Sequence, residues 1–587
     1  MWRDKVRWRL RSSRPRPEPE REEPFPDSAA TPARPSSARA AIVLAYGVTG
    51  LAFVLVAGLT TKIYQIPLQA QLGLFQLLPA TYWIGLSLMA IAAILAYRSA
   101  SDVLIAVTGA MLLATLAGTP SLFEPTPRYW DSYMHFAQAQ QLTWTGHLMS
   151  VDPTAYSTNW PGAFLTMWTL SSVAALPAMD FLGFLPFLTG GITFLAMFEL
   201  LRSAFPPATA RAAAVPTALF AVWAQYHASP QALGFVLALL VLATFRRNET
   251  RWRIASAGLF VGLVVSHPTS AILILTILGV FALLSFIPRL RGSTPKETAR
   301  REARFSLRVA ITFATVWLAW LFFLAAGSSE AARIAILARM DELLSVPEQT
   351  LNLVTARTVE NLLPWAPRIR TVGLGLFGLF GLVSLLLLFR DRNSRGRFRF
   401  VVSALVAAGL VAAADIFAFG GQFYDRSMLM IGTFLPALCF AGLTRLRIPR
   451  TAKHAIVVAL VTASVATAST AYYLEAFNLV PSESIAGASF LNGLPSMSIV
   501  MDGKYPDPVW LDPGARPNLI RVPFSEIWPT PIQNLTARPL YAVYDPTAEL
   551  WYRQWYGVEV YQPYSDARAN FSRIYDNGWS EVYWVPD

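Results

Sequence analysis

One polar stretch between Thr119 and Gly162, TPSLFEPTPRYWDSYMHFAQAQQLTWTGHLMSVDPTAYSTNWPG, holds Asp131, His135, His147 and Asp152 among a crowd of aromatic residues. Asp131 opens a helix-like run, and His135 follows four residues later, so on a helix the two share one face. A carboxylate so placed can take a proton from a hydroxyl, and the imidazole can tune or relay it. Asp131 also stands where an N-cap would, a position that favours Asp, and a cap can still face a cleft. Asp152 precedes Pro153, a frequent turn starter, so a turn role competes with a catalytic one there. The spacing of these acids and histidines matches no zinc signature, and neither a metal nor a cofactor is expected.

Three basic side chains complete the set. Arg128 lies three residues before Asp131, His267 sits in SHPTS where two apolar runs meet, and Arg426 sits in GGQFYDRSM just before another run. The Pro of SHPTS should break the helix and expose backbone and imidazole. A guanidinium at that depth suits a lipid phosphate. A local Asp425–Arg426 pair, or interfacial snorkelling, is the competing reading for Arg426.

The elements that must position these residues are membrane spans. Of 587 residues, 54% are apolar and 14% charged, with a mean hydropathy of +0.42. A soluble protein carries roughly 25% charge. Apolar runs near the ~20 residues needed to cross a bilayer fall at 42–61, 77–97, 102–118, 181–201, 212–226, 232–245, 254–266, 269–287, 309–326, 371–389, 399–419, 427–444 and 454–474. Basic clusters at 246–253, 289–308, 390–399 and 445–453 separate them. Loops rich in Lys and Arg stay cytoplasmic, which puts loop 119–162 outside. Thirteen crossings from a cytoplasmic N-terminus place the C-terminus outside too. The run 163–178 would upset this parity as a crossing and reads as a juxtamembrane or re-entrant helix. A second outer loop, 327–370, contains AARIAILARMDELL, whose apolar spacing suits a helix lying flat on the membrane.

Both ends of the chain differ from the middle. Residues 1–40 are rich in Arg, Pro and Glu and read as a disordered cytoplasmic tail. Residues 475–587 carry 13 acids against 7 bases, a balance of −6 within a chain total of +12, leaving +18 before them. Positive charge confined to stubs between spans implies a membrane orientation and excludes a nucleic-acid reading. The same segment holds six Trp and nine Tyr, with alternating runs such as LYAVY and SEVYWVPD that favour strands. RIYDNGWSEVYWV carries Asn-Gly between two such runs, a hairpin signal. A small α+β extracytoplasmic domain is expected there. The single Cys439 lies in an apolar run, which excludes an intrachain disulfide and CxxC-type metal sites.

The pattern RYWDSYMHFAQAQQLTWTGHL, then NWPGAFL, SHPTS and YDR, resembles the GT-C glycosyltransferases, and the closing IYDNGWSEVYWV is similar to tails of prokaryotic members. The resemblance implies a mainly α, polytopic enzyme of about 13 transmembrane helices that takes sugars from polyprenyl-phosphate donors on the outer face. It implies Asp131 as the catalytic base, with His135 and Asp152 as further catalytic candidates. Arg128, His267 and Arg426 are read as donor-phosphate ligands. Trp130, Asn159 and Tyr424, which stand within the matched motifs, are read as substrate contacts. Two departures stand out: the acidic loop follows the third span rather than the first, and the acidic pair common in relatives is replaced beside Asp131 by Trp130 and Ser132.

The leading expectation is an inverting cell-envelope glycosyltransferase with a glycan, lipid or protein acceptor. Oligosaccharyl transfer from a lipid pyrophosphate is the near alternative. A lipid or polysaccharide transporter would need polar groups deep in spans and repeated halves; only Asp415 and Glu199 fall in spans, both near ends. A non-catalytic scaffold with a sugar-binding outer domain is the remaining possibility.

Overall fold

The computed structural model describes residues 37–146, 156–247, 249–290, 294–327, 330, 333, 363–418, 424–495, 498–502, 519–523, 540–555 and 558–585. In chain order come α1 (Ser37–Thr60), α2 (Ala80–Arg98), α3 (Asp102–Phe123), α4 (Trp130–Thr145), the single turn α5 (Tyr156–Asn159), α6 (Gly162–Ala174) and α7 (Ala178–Ala204). Then follow α8 (Pro207–Phe220), α9 (Pro230–Phe245), α10 (Thr250–Ser266), α11 (Pro268–Phe286) and α12 (Lys296–Ala319). The bundle closes with α13 (Trp365–Arg390), α14 (Arg392–Ala418), α15 (Tyr424–Leu443) and α16 (Arg450–Ala468).

Every apolar run read as a crossing is a helix. Among the described residues ten of them are long and apolar enough to span a membrane. The other three, α8, α9 and α10, have only 14, 16 and 17 residues, short of the ~20 that span a bilayer. The run at 163–178 forms α6, 13 residues long, packed on α4 and α10. Most of AARIAILARMDELL, like the tail 1–36, lies outside the described residues.

Apolar helices in lipid gain little from hydrophobic contact with one another, so close backbone approach through small residues holds them together. A Cβ on Gly50 of α1 would lie 2.6 Å from the Gly85 carbonyl of α2, and one on Gly109 of α3 would lie 1.9 Å from the Phe194 ring of α7. Breaks between helices are set by capping. The Ser229 hydroxyl accepts from Ala232 N (3.2 Å) and Pro230 occupies the first turn of α9, where its missing N–H costs nothing.

The basic stubs gather at one end of the bundle. Arg202 and Arg211 meet Asp102 at 3.2 and 3.4 Å, Arg445 meets Asp391 at 2.8 Å, and Arg247–Glu199 and Arg399–Glu302 pair across helices. The opposite end joins the loop before α4 to the C-terminal segment. That segment begins with α17 (Glu475–Asn478) and α18 (Ser482–Asn492). It then builds a five-stranded sheet in the order β2-β1-β3-β5-β4 from β1 (Ser498–Asp502), β2 (Leu519–Pro523), β3 (Leu540–Tyr544), β4 (Ser572–Asp576) and β5 (Glu581–Val585). β1 runs parallel to β2 and β3, and β5 runs antiparallel to β3 and β4.

α19 (Pro546–Trp555) and α20 (Val558–Ala567) connect β3 to the β4–β5 hairpin. The hairpin signal is real, but its turn spans 577–580 rather than Asn-Gly alone. The Asn577 side chain accepts from Trp579 N (3.1 Å) and Ser580 N (2.8 Å) while Gly578 takes φ +83°, which a Cβ disfavours. Tyr541, Val543, Val582 and Leu491 share one apolar core with Trp130, Tyr133, Phe136, Phe164 and Phe181, so the C-terminal segment sits directly on α4, α6 and α7.

Candidate active site

The site is built around the start of α4. Its first residue is Trp130 and the residue before it, Tyr129, holds φ +68°, ψ 119° without capping the helix through its side chain. Asp131 therefore occupies the first turn and is not the N-cap, contrary to the sequence reading. A carboxylate there still faces the positive end of the helix dipole. The Asp131 side chain is 45% exposed, and its Oδ2 lies 3.4 Å from His227 Nε2 and 4.0 Å from His135 Nε2. The expected sharing of one helix face by Asp131 and His135 is thus realised.

His227 is buried and His135 partly so, and both are wedged. His227 stacks on the Tyr129 ring at 4.0 Å, and His135 meets the edge of Phe164 at 5.8 Å. Phe164 in turn touches Tyr156, which packs on Trp160. Burial lowers the pKa of His135, opposed in part by the Asp131 charge.

Tyr129 owes its unusual backbone to a fixed loop. Its N–H donates to the Asn478 carbonyl (3.0 Å), the Thr126 hydroxyl donates to the Val480 carbonyl, and Tyr133 OH donates to the Pro127 carbonyl (2.7 Å). Beneath it Arg128 pairs with buried Glu475 and lies 3.8 Å over the Tyr129 ring and 4.7 Å over that of Tyr472. Glu124 completes this buried cluster. Desolvation, and then the neighbouring Glu475 charge, hold its carboxyl well above the usual range.

On the other side of Tyr129 opens a cavity of about 310 Å³ between α3, α8, α13, α15 and α16. Arg128, Tyr129, Arg370, Tyr424, Asp425 and Tyr472 form its polar wall. Leu113, Leu116, Ala218 and Leu219 form its apolar depth.

The other sequence candidates are distributed as follows. Tyr424 lines the cavity. Arg128 also lines it, but its charge is taken up by Glu475. Arg426 is partly buried in the first turn of α15, and its charge reaches Tyr156 and His267. His267 is not exposed, as its Pro break suggested, but 3% accessible: it ends α10 and caps α11, accepting from Ser270 N at 3.3 Å. Glycine at 234 makes the room, since a Cβ there would lie 2.6 Å from the His267 Cβ. That placement is a correction. A capping, sequestered imidazole is poorly placed to reach a ligand.

Trp130, read as a substrate contact, is 1% exposed within the shared core, and Asn159 is 2% exposed with its carbonyl accepting from Trp320 Nε1 at 2.9 Å. Neither presents its side chain to an open site. Asp152 and His147 lie outside the described residues. Among the described residues no group of three or more His, Cys, Asp or Glu is arranged to hold a metal.

Two residues were missed in the sequence. His227 stands in the break between the runs 212–226 and 232–245, which the expected parity puts on the same side as the polar loop. Arg370 is the last cation before the run 371–389 and gave no signal beyond that.

No family model matches the chain, and no curated protein does. Solved structures do. The Archaeoglobus fulgidus oligosaccharyltransferase in the apo form has a TM-score of 0.51 at 13% identity, covering 83% of this chain and 74% of that one. The same enzyme in complex with Zn and sulfate scores 0.50 at 14% identity, covering 82% and 73%. ArnT from Cupriavidus metallidurans in the apo state scores 0.40 at 14% identity, covering 78% and 93%. At such identities the likeness to the first two speaks of the fold, and it agrees with the helical bundle described above. The chain is a polytopic membrane protein with the GT-C fold.

Proposed function

We propose that this protein is a membrane glycosyltransferase that moves a sugar from a polyprenyl-phosphate donor to an acceptor hydroxyl on the extracytoplasmic face. The observation that carries this reading is Asp131: a half-exposed carboxylate at a helix mouth, flanked by two imidazoles, beside a cavity with an apolar depth. The acceptor O–H gives its proton to the Asp131 carboxylate as its oxygen bonds to the anomeric carbon. The bond from that carbon to the phosphate oxygen breaks, and the phosphate leaves with the electron pair. Displacement from the opposite face inverts the anomeric centre. A guanidinium near the departing phosphate stabilises the charge that develops. Arg426 and Arg370 are the candidates, because Arg128 is already paired.

Asp131→Asn tests this reading. It keeps size and hydrogen bonding but removes the proton acceptor, so transfer from a polyprenyl-phosphate sugar in detergent should fall by roughly 10²–10⁴-fold. Because Asp131 is not the cap, both the Asn and Ala variants should lose less than about 1 kcal/mol of stability, the worth of a charge in the first helical turn. Transfer within a few-fold of wild type by the Asn variant would remove Asp131 as base.

A further inference from the structure

At the end of the bundle that carries the basic stubs, a second cavity of about 640 Å³ opens between the last turn of α13, the connection from α15 to α16 and the first turn of α16. Four basic side chains line it, Arg390, Arg445, Arg447 and Lys453, against the one acid Asp391, a balance of +3. Asp391 pairs with Arg445 at 2.8 Å, and among the described residues no acid pairs with Arg390, Arg447 or Lys453. The other stubs at this end differ: Arg202 and Arg211 share Asp102, Arg247 holds Glu199, and Arg399 holds Glu302. A single interfacial arginine needs no ligand, since it can extend into water or toward any headgroup. Several like charges drawn around one cavity repel one another, and an anion between them offsets that repulsion through charge-assisted hydrogen bonds.

The surrounding helices define what carries that anion. A Cβ on Gly442 of α15 would lie 1.9 Å from Ser384 Oγ of α13, so the two helices are in close contact about one turn inside the cavity and hold its walls in place. On its outward side α13 presents Leu379, Leu382 and Leu386, all exposed and spaced to share one helix face. That stripe ends beside Leu387, which lines the cavity together with Leu446 and Ile448. Acyl chains lie against such a stripe, and the phosphate at their head then falls level with the basic side chains. The start of α16 adds to the site. Ile448 and Lys453 bracket its first turn, Pro449 supplies no side-chain cap, and the N–H groups there favour an anion. We infer that this cavity binds the phosphate of an anionic membrane phospholipid, with Arg390, Arg447 and Lys453 holding the phosphate and the acyl chains lying on the leucine stripe of α13. The site stands at the end of the bundle opposite Asp131 and does not rest on the transferase reading.

Native mass spectrometry of the full-length protein in detergent tests this, with phosphatidylglycerol, phosphatidylcholine of the same acyl chains and glycerol 3-phosphate as probes. The first phosphatidylglycerol should bind wild type saturably and roughly tenfold or more tighter than either other probe. Glycerol 3-phosphate as tight would mean a site for a soluble phosphate, and phosphatidylcholine as tight would mean a lipid held by its chains alone; either result overturns the inference. The double variant Arg390→Gln, Arg447→Gln should weaken that first phosphatidylglycerol by roughly tenfold or more, since each basic side chain near an anionic lipid is worth about fivefold. Both side chains are exposed, so folding should survive. Should it not, Lys453→Gln alone should weaken binding about fivefold, and unchanged affinity in that variant would overturn the site equally. Arg300→Gln with Arg301→Gln removes two exposed charges from another stub, at the start of α12, and should leave the first phosphatidylglycerol bound as in wild type. Equal losses in the two double variants would reduce the binding to the general positive charge of this end and sink the inference.

Discussion

At the scale of single residues, the environment of Asp131 is set by a histidine 96 positions away in the chain. His227 is 4% exposed, locked by its stack on Tyr129, with Nε2 toward the carboxylate. An N–H donated to a carboxylate favours its charged form and fixes its orientation. We expect His227→Ala to lower kcat by about tenfold, equivalent to about 1.4 kcal/mol of transition-state stabilisation. His227→Gln, whose amide can still hydrogen-bond the carboxylate, should restore most of that loss. A purely structural His227 would lower the amount of folded protein in both variants and leave kcat per folded molecule unchanged. The Asp131–His135 relation was legible because both lie on one helix and the 3.6-residue period needs no tertiary information. The His227 contact was not, because it arises only when the α8–α9 connection folds against the start of α4.

At the scale of elements, the joint between the loop before α4 and the segment after α16 decides where Asp131 points. Glu124, Arg128 and Glu475 form its buried charge cluster, and backbone bonds from Thr126 and Tyr129 to Val480 and Asn478 surround it. The Glu124 carboxyl is held well above its ordinary 4.5 by desolvation first and by the Glu475 charge second. The folded protein therefore keeps a proton there that the unfolded chain releases. Its stabilising share is complete below about pH 4.5 and shrinks as pH rises toward the folded value. Glu124→Gln carries a permanent substitute for the protonated form. In thermal unfolding followed from about pH 5 to about pH 9, the wild type should lose more stability than the variant. Parallel curves would show that Glu124 does not hold the extra proton.

Sequence patterning located these elements well. Each apolar run became a helix, and 163–178 stayed a short helix against α4 and α10. It mistook their ends, because caps depend on local geometry: α3 runs on through Pro120 to Phe123, and α4 starts one residue before the acid. The parallel pairing of β1 with β2 and β3 could not be read at all, since it joins strands separated by long connections.

At the scale of the whole molecule, the ion pairs divide the bundle into two unlike ends. Arg202, Arg247, Arg399 and Arg445 meet their acids at one end, and the Arg128–Glu475 joint, the cavity rim and the sheet lie at the other. Cytoplasmic loops collect Lys and Arg, so the first end should face the cytoplasm and the second the outside. The proposed chemistry needs that orientation, because its donor and acceptor meet at the second end. Cys439 is 1% exposed and therefore silent to aqueous reagents, which makes single-cysteine labelling direct. Ser482 at the start of α18 and Thr298 in the first turn of α12 are both exposed and lie at opposite ends. In intact cells a membrane-impermeant maleimide should modify Ser482→Cys and miss Thr298→Cys, and lysis should make Thr298→Cys reactive. Labelling of Thr298→Cys in intact cells with protection of Ser482→Cys would invert the protein in its membrane. Asp131 would then lie on the cytoplasmic side, and the extracytoplasmic transfer proposed for it would fail.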